Sequence, residues 1–354
     1  MKITNTFSIF VCAAVAAINT NSRNHVEAFS IPSNRFNMNR GRMRNTKFPS
    51  FYKQISSTFL SMSEESKSFA DTVQIISDQL NELKSSTIVV KYGGNAMTSP
   101  ELAQLFCQDV ATLQNLGINI IVVHGGGPQI SSMLEKVNVK SEFSESGMRI
   151  SSIEVVEVAE MVLCGAVNKQ IANGICNAGG TAIGLSGRDN RLMQCVQKGS
   201  RDEIGYVGNV DTVNVDFLNC LLDMNVTPVI SPIGCGKVEN NEQQVVYNVN
   251  ADVAAGRLAG AVGASQVVFL TDIAGVLDKE KQLLQDLTLD QVDALIDDET
   301  ITGGMIPKVQ YAMDAVKQGV DSAKIIDGRI EHALLNQILS QGVKESTGGT
   351  TIRN

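Results

Sequence analysis

The segment VVKYGG is the first part of the sequence whose residue types could do chemistry. Lys91 ends an apolar run, and Gly93-Gly94 follow after Tyr92. A lysine at the carboxyl end of a parallel strand projects to the edge where α/β sheets bind ligands. The two glycines would expose backbone amides beside this cation, a combination that suits a polyphosphate. For Lys91 alone, a strand-end lysine that keeps its ammonium group in water explains the pattern equally well.

Three consecutive glycines mark the second segment, VVHGGGPQI. The apolar run before His124 predicts a buried strand, and Pro128 is preset for the first turn of a helix. Unpaired amides in that first turn favour an anion. No Gly-Lys-Ser/Thr follows, and the glycine spacing is not GxGxxG, so the two common nucleotide-binding motifs are excluded. A tight turn without a ligand remains the alternative.

Two further segments supply polar groups for recognition. Arg149, in SGMRIS, carries the rigid fork that binds a carboxylate through two hydrogen bonds, although a single loop arginine can equally be solvated. In YNVNADVAA, Asn250 and Asp252 are explained as the cap and first-turn acid of a helix. That explanation leaves Asn248 without a role.

A second lysine follows a second strand. FLTDIAGVLD predicts a strand that ends at Thr271 and Asp272, with Gly275 in the turn behind it. ITGGMIPKV then places Lys308 just inside a helix. The alternative for Lys308 is an exposed helical lysine, but the apolar residues around it are unusual for a solvated face.

Predicted strands alternate with predicted helices along the chain, which indicates an α/β fold. The alternation implies a mainly parallel central sheet covered by helices on both faces. The segments 142–150, 219–225 and 237–248 look irregular and are interpreted as hairpins. The predicted helices cover 66–84, 99–116, 128 onward, 151–178, 251–263, 304–319 and 331–341, and the predicted strands cover 86–94, 119–124, 181–187, 225–234, 266–272 and 323–328.

Composition and charge limit the classes of function. The 354 residues, 43% hydrophobic, suit one large domain or two lobes. Eight of the 29 basic residues but only one of the 37 acidic residues precede residue 64, so the remainder carries a net charge near −15. That charge argues against nucleic-acid binding. The seven cysteines form no C-x-x-C pair and there are three histidines, so we expect no zinc site and place most cysteines in the core.

The first 62 residues have the composition of a targeting sequence. Residues 1–28 have the layout of a signal peptide, and residues 29–62 are basic, acid-poor and rich in Ser and Asn, as transit peptides are. Together they resemble the bipartite plastid presequence of algae with secondary plastids, which predicts a location in the plastid stroma. A disordered basic tail is the alternative.

Six segments, in order, resemble the N-acetylglutamate kinases of the amino-acid kinase family. They are VVKYGGNAM, VVHGGGPQI, SGMRIS, YNVNADVAA, FLTDIAGVL and GGMIPKV, and the similarity covers residues 66–352. It looks closest to the plant and cyanobacterial members. The resemblance implies a three-layer αβα sandwich with two lobes and an extra N-terminal helix. It also implies transfer of the γ-phosphoryl group of ATP, with Mg²⁺, to the side-chain carboxylate of N-acetyl-L-glutamate.

The resemblance also implies residue roles. Lys91 would stabilise the phosphoryl group in transfer and Lys308 the leaving side, while Asp252 would hold both ammonium groups. Backbone N–H groups of Gly93 and Gly94 would bind phosphate. The implied substrate-binding residues are Gly126, Gly127, Arg149 and Asn248, and the implied ATP-binding residues are Asp272, Gly275, Val276, Leu277 and Thr302.

Domain organisation and regulation follow from the same resemblance. Residues 63–85 would form the helix that links dimers into a hexamer in arginine-inhibited members, and 86–354 the kinase domain, with an acceptor lobe at about 86–240 and an ATP lobe at about 241–354. L-Arginine is the expected effector, and a PII-type signalling protein a possible partner. Gln337 stands where an acidic residue is common, and the C-terminal segment also departs from the plant pattern, which bears on the arginine site.

Three other functions stay open at this point. The chain could be a glutamate, aspartate or carbamate kinase, although Arg149 and the NVNAD segment favour the acetylglutamate branch. It could also be a catalytically silent arginine-sensing subunit, against which the retained Lys91 and Lys308 argue. A dinucleotide-binding oxidoreductase is disfavoured because the glycine spacing is wrong.

Overall fold

The computed structural model describes residues 64–93, 97, 99–144, 147–237, 244–339 and 348–354. The predicted presequence (1–62) and Gly94 therefore lie outside the described residues. Within the described part of the chain, no helix is both long enough and apolar enough to cross a bilayer.

The elements alternate as predicted. The strands are β1 (Thr87–Tyr92), β2 (Asn119–His124), β3 (Ala182–Ser186), β4 (Met193–Gln197), β5 (Val207–Val213), β6 (Thr227–Ser231), β7 (Ile233–Gly236), β8 (Val246–Val249), β9 (Gln266–Thr271), β10 (Asp286–Thr288), β11 (Ser322–Asp327) and β12 (Thr350–Arg353). The α-helices are α1 (Glu64–Leu83), α2 (Pro100–Asn115), α3 (Gly127–Lys136), α4 (Ile153–Glu160), α5 (Asn168–Asn177), α6 (Arg201–Ile204), α7 (Val215–Asp223), α8 (Ala251–Ala261), α9 (Leu289–Asp297), α10 (Met305–Lys317) and α11 (Ala333–Leu339).

Eight strands form the central sheet, in the order β10-β12-β11-β9-β1-β2-β6-β3. The six strands from β11 to β3 are parallel, whereas β12 runs antiparallel to β11 and β10 is parallel to β12. All six parallel strands therefore end at the same edge of the sheet. This edge receives every loop that the sequence singles out after a strand.

Side-chain alternation along the strands separates two hydrophobic cores, one on each face. On β1, Ile88, Val90 and Tyr92 join the first core, whereas Val89 joins the second. The first core is completed by side chains of α2, α3, α4, α5 and α11, and the second by those of α7, α8, α9 and α10. The near-continuous apolar strands are thus covered on both faces, as parallel sheets require. The predicted three-layer αβα sandwich is confirmed.

Local sequence signals explain where several helices begin. Ser99 caps α2, because its side chain accepts a hydrogen bond from Leu102 N and Pro100 occupies the first turn. Asn250 caps α8 in the same way. The helix predicted over 66–84 is α1, and its Leu80 and Leu83 pack against the first core.

Three predictions of local structure were incomplete or wrong. The helix predicted over 151–178 contains a π-helical stretch, Met161–Val167, between α4 and α5. Most of the segment 219–225, interpreted as irregular, lies in helix α7, whereas the consecutive strands β7 and β8 around 237–248 do pair antiparallel and belong to a closed barrel, β4-β5-β8-β7. Three cysteines are core residues (Cys107, Cys195 and Cys235), but Cys176 and Cys220 are exposed.

Candidate active site

The acceptor loop, Gly125–Gly127, lies where β2 ends, beside the end of β1. Gly125 N donates a 2.8 Å hydrogen bond to Tyr92 O, which joins the two strand ends. A methyl group added to Gly126 would lie 2.5 Å from Leu163 Cδ2, so Leu163 would have to shift to admit any side chain there. The same methyl group on Gly127 would meet no atom within 4 Å. The loop is thus packed on one side and open on the other, at the start of α3.

His124 supports this loop and is held neutral. Its side chain is fully buried, and burial lowers its pKa to about 4. His124 Nδ1 lies 2.8 Å from Gly125 O. Because a carbonyl oxygen only accepts, Nδ1 carries the hydrogen and donates a hydrogen bond to it. Nε2 then accepts from Asn168 Nδ2 at 3.1 Å. Both ring nitrogens are engaged within the protein, so His124 serves to hold the loop in place.

Lys91, near the end of β1, pairs with Asp252 in the first turn of α8. Lys91 Nζ and Asp252 Oδ1 are 3.1 Å apart, with 14% and 24% of the two side chains exposed. Asn250 fixes the start of the helix by accepting a 2.8 Å hydrogen bond from Asp252 N. A methyl group on Gly93 would lie 3.1 Å from both Cε and Nζ of Lys91. The ammonium group is therefore confined between a carboxylate and a bare stretch of backbone.

Lys308, in the first turn of α10, reaches the end of β9. Its Nζ donates to Thr271 Oγ1 and lies 3.2 Å from Asp272 Oδ1. The hydrogen bond from Lys308 lowers the pKa of Asp272. Asp252 was expected to hold both ammonium groups. Among the described residues, Lys308 instead forms its ion pair with Asp272, and each lysine has its own carboxylate.

Arg149 lies against the acceptor loop. Its guanidinium donates from Nη2 to Gly127 O at 3.2 Å and to Ser131 Oγ at 2.8 Å, and from Nη1 to Ser141 Oγ. The Phe143 ring packs 4.6 Å from its central carbon. Burial lowers its pKa. Neutral groups make up these contacts, so a substrate carboxylate can still pair with the charge.

Asn248, on β8, is hydrogen-bonded to Ser151, which lies two residues after Arg149. Its Nδ2 donates to Ser151 Oγ at 3.1 Å, and its backbone N donates to Tyr206 O at 3.0 Å. Ser151 Oγ in turn donates to Arg149 O at 3.0 Å. The structure thereby links two residues that the sequence places almost a hundred positions apart.

The segment predicted to line the nucleotide follows β9 along the same edge. Gly275 has φ of +139°, and a methyl group on it would lie 2.7 Å from Thr350 Oγ1. Val276 N donates to the same hydroxyl at 2.8 Å. The Val276 side chain is fully buried, whereas Leu277 and Thr302 are exposed. Val276 O also accepts a 2.8 Å hydrogen bond from Leu284 N, so this residue holds the loop in place while Leu277 and Thr302 are exposed beside it.

Several contacts in this region left no signal in the sequence. Leu163 shapes the acceptor loop from the π-helical stretch, and Thr350 anchors the nucleotide-side loop from β12. Ser131 and Ser141 hold Arg149. Each is an ordinary residue in its own segment, and only the tertiary fold brings it to the site.

Among the described residues, the charged groups of the site are suited to stabilise anions, and its two carboxylates are both paired with lysines. Lysine, arginine and backbone amides line the edge from β9 to β2, and His124 is buried and neutral. Within the described ranges, no group of three or more His, Cys, Asp and Glu side chains is placed to hold a metal ion. Such a site suits a reaction in which one anion attacks another.

Comparison with known proteins identifies the family. Residues 86–327 match the model of the amino acid kinase family. An acetylglutamate kinase of Rhodospirillum centenum is 45% identical over 267 residues, covering 72% of this chain and 86% of that protein. An acetylglutamate kinase of Azoarcus sp. strain BH72 is 46% identical over 290 residues, covering 78% and 95%.

Comparison of structures agrees on the fold. N-Acetylglutamate synthase from Neisseria gonorrhoeae, solved with coenzyme A and N-acetyl-glutamate, superposes with a TM-score of 0.68 at 19% identity, over 81% of this chain and 63% of that one. At 19% identity, this structural similarity supports the assignment of the fold alone. The sequence matches show the family, and the chain belongs to the amino acid kinase family.

Proposed function

We propose that the protein transfers the γ-phosphoryl group of ATP to the side-chain carboxylate of N-acetyl-L-glutamate. The product is N-acetyl-L-glutamyl 5-phosphate, and the activity is that of an acetylglutamate kinase (EC 2.7.2.8) in arginine biosynthesis. Relatives at about 45% identity over most of the chain carry this name. The plant and cyanobacterial subtype is part of the proposal, on the residues that carry the resemblance.

The observation that carries the proposal is the order of groups along one sheet edge. Strands β9, β1 and β2 are neighbours: β9 ends at Thr271 just before Asp272, Lys91 is the last residue but one of β1, and the acceptor loop follows β2. Lys308 joins the first of these and Arg149 the last. Three cations, Lys308, Lys91 and Arg149, thus follow one another along the edge, an order that suits stabilisation of charge along the path of a phosphoryl transfer.

Phosphoryl transfer to a carboxylate requires few catalytic groups beyond these cations. A carboxylate is already a nucleophile, so no residue has to remove a proton. The barrier lies in bringing two anions together and in spreading the charge that develops on the transferred group. Lys91 would stabilise that group, Lys308 the leaving oxygens, and the amides of Gly126 and Gly127 the acceptor side. Arg149 and Asn248 would hold the α-carboxylate and the acetamido group.

Mg²⁺ is expected with ATP. Magnesium binds phosphate oxygens and water with few protein carboxylates, so the phosphates of ATP would supply most of its ligands. When bound, the ion would neutralise phosphate charge. The roles of Lys91, Lys308 and Arg149 do not depend on where it sits.

The decisive experiment measures acetylglutamate-dependent ADP formation by the purified protein, with hydroxylamine present to trap the acyl phosphate. We expect a hydroxamate to form at the rate of ADP release, and only with N-acetyl-L-glutamate. Glutamate, aspartate and carbamate are the comparison acceptors. Faster reaction with any of these, or ADP release without hydroxamate, would refute the proposed substrate. The Lys91→Met variant controls for contaminating kinases.

Regulation and assembly are proposed on the resemblance and on α1. A helix precedes the first strand, as in members that form arginine-inhibited hexamers, so we propose a trimer of dimers that is inhibited by L-arginine. Size-exclusion chromatography with light scattering, on chains with and without residues 64–83, tests the hexamer. Titration of the activity with L-arginine tests the inhibition. A PII-type partner would be tested by co-migration with the hexamer.

Location and lobe organisation remain proposals too. Residues 1–28 and 29–62 are proposed to direct the chain to the plastid stroma, which a fluorescent fusion of residues 1–62 would test. The acceptor lobe (about 86–240) and the ATP lobe (about 241–354) are supported by the positions of Arg149 and Lys308 on the two sides of Lys91. Limited proteolysis with either substrate would show whether each protects its own lobe.

A further inference from the structure

A cavity of about 310 Å³ lies between helices α8 and α10 and strand β5. Its volume is within the range of small-molecule sites, about 300–1,000 Å³. One of its polar residues, Asp252, also pairs with Lys91 in the proposed transfer site, and the others take no part there. The polar residues that line the cavity are Asn209, Asp252, Arg257, Tyr311, Asp314 and Gln318.

Arg257, on α8, brings a positive charge to this cavity. Its Nη1 donates to Gln318 Oε1 at 3.2 Å and its Nη2 to the backbone O of Asp211 at 3.0 Å, and both acceptors are neutral. The carboxylate of Asp211 instead pairs with Lys237 at 2.8 Å. A guanidinium group has five N–H donors, so Arg257 keeps donors for an anionic group in the cavity.

Asp314, on the exposed side of α10, brings the opposite charge. The backbone O of Asp314 accepts from Gln318 Nε2 at 2.9 Å, but within the described part of the chain its carboxylate has neither an ion pair nor a hydrogen bond. The hydroxyl of Tyr311, about one turn earlier, has no hydrogen bond to a described residue either. Burial and the charges of Asp252 and Asp314 raise the pKa of Tyr311, so the phenol stays neutral.

Two opposite charges on the walls of one cavity are complementary to a zwitterion. We propose that the cavity is a second binding site, the Arg257–Asp314 site, for a free α-amino acid with an apolar side chain. The α-carboxylate would pair with Arg257, and the α-ammonium group would donate to Asp314 and to the oxygen of Tyr311. The side chain would pack against Val210 and Val253, which also line the cavity.

Charge balance decides between this class and others. Asp252 is already neutralised by Lys91, 3.1 Å away, so Arg257 and Asp314 are the two charges left to a ligand and their sum is zero. A phosphate would bring negative charge to Asp314, and a simple amine would leave Arg257 without a counter-charge. The guanidinium group of L-arginine would have to compete with Lys91 for Asp252. Partly buried charges without partners weaken binding, which leaves the neutral zwitterion as the best match.

The test uses L-valine as the probe and the full chain. Calorimetry and saturation-transfer NMR compare valine with 3-methylbutanoate, which lacks the ammonium group, and with 2-methylpropylamine, which lacks the carboxylate. We expect valine to bind at least about tenfold more tightly than either. Tenfold corresponds to about 1.4 kcal/mol, which one hydrogen bond to a charged group supplies.

Two variants assign each charge of valine to its partner. Arg257→Gln should weaken the binding of valine and 3-methylbutanoate about tenfold and should not weaken that of the amine. Asp314→Asn should weaken the binding of valine and the amine about tenfold and should not weaken that of 3-methylbutanoate. Asp293→Asn removes another exposed carboxylate, on α9, and is the matched control that should bind all three probes as the wild type does.

Thermal unfolding gives a second measurement of the same site. A ligand that binds only the folded protein raises its unfolding temperature. Valine should do so in the wild type and in Asp293→Asn, and less in Asp314→Asn. Because Asp314 is exposed, its substitution should leave the ligand-free protein as stable as the wild type, so this variant tests the site even if Arg257→Gln folds poorly.

Several results would overturn the proposal. They are absence of valine binding, equal binding of the three probes, and variants that weaken all three probes alike. Displacement of valine by saturating N-acetyl-L-glutamate or ADP would place it in the transfer site instead. L-Arginine that binds more tightly than valine, with the same dependence on Arg257 and Asp314, would refute the apolar class. Binding is measured without turnover, so these outcomes are independent of the proposed phosphoryl transfer.

Discussion

Replacing Lys91 by methionine tests the central cation of the proposed transfer. Methionine keeps an unbranched chain of similar length and removes the charge, so packing beside Gly93 is preserved. The ammonium group lies 3.1 Å from Asp252, in a position that is 14% exposed. Because it is largely shielded from water, its effect on a developing negative charge should resemble that of a pre-arranged donor in an active site, about 2.7–4 kcal/mol. That range corresponds to a loss in kcat of about 100- to 1000-fold.

The direction of the other kinetic constants follows from the same geometry. Lys91 lies between the nucleotide side and the acceptor loop and belongs to neither, so the KM values for ATP and N-acetyl-L-glutamate should change little. The loss should therefore appear equally in kcat and kcat/KM, as expected for an interaction made mainly in the transition state. Initial rates of hydroxamate formation at varied concentrations of both substrates measure this directly.

Gly93→Ala is a milder change, which should displace the ammonium group of Lys91 without removing it. Gly93→Ala retains Lys91 but places a methyl group 3.1 Å from its Cε and Nζ, closer than ordinary contacts of about 3.5–4.0 Å. The ammonium group must move by about half an ångström, which should lower kcat roughly tenfold, since about 1 Å of misplacement can cost 100-fold. If Lys91→Met retains a kcat within tenfold of the wild type, or if its loss lies in KM alone, Lys91 does not stabilise the transferred group.

Three further predictions concern the acceptor side and the stability of the fold. Arg149→Ala should raise the KM for N-acetyl-L-glutamate about 10- to 100-fold with a smaller change in kcat, because it removes hydrogen bonds to a charged group; an unchanged KM contradicts that role. Gly126→Ala should weaken acceptor binding because its methyl group would overlap Leu163, and Leu163→Ala in the same chain should restore part of the KM; failure of the rescue rejects the steric explanation. His332 Nδ1 pairs with the buried Asp109 at 2.6 Å, which raises the pKa of His332, so the stabilisation is complete below about pH 6.5 and is lost as the pH rises through the raised value. Thermal unfolding between pH 6 and pH 9 should show this loss in the wild type and not in His332→Gln.

The alternation of elements could be predicted because local patterns determine it. The strand 119–124 has the predicted bounds, and α2 begins at Pro100 with Ser99 as its cap, since these limits depend on residues within a few positions of each other. The π-helical stretch Met161–Val167 could not be predicted. The apolar spacing on either side of it is that of an ordinary α-helix. The wider π-helical turn, from which Leu163 packs against Gly126, appears only in the structure.

The charged residues of the candidate site were predicted, and so was the pairing of Lys91 with Asp252, whereas the pairing of Lys308 with Asp272 and the serine partners of Arg149 were not. Lys91, Lys308 and Arg149 stand in segments whose glycines or apolar neighbours make a charge noteworthy. Their contacts with Asp252, Asp272 and the two serines span up to 161 positions in the sequence, as between Lys91 and Asp252. No local pattern encodes such pairs; the resemblance implied a shared partner for both lysines, and the structure pairs them with separate carboxylates.

Strand order explains why this site needs no Walker loop. A Walker loop places its glycines and its lysine in one turn, so both act on the same phosphates. Here β9, β1 and β2 are adjacent and parallel, and their carboxyl ends bring Lys308, Lys91 and the glycines together from three distant segments. The cations can then be spread along the path of the phosphoryl group, while the glycine loop is left free to receive the acceptor. The three glycines after His124 are on this reasoning an acceptor loop, and the neutral, doubly hydrogen-bonded imidazole beneath them serves to hold that loop in place.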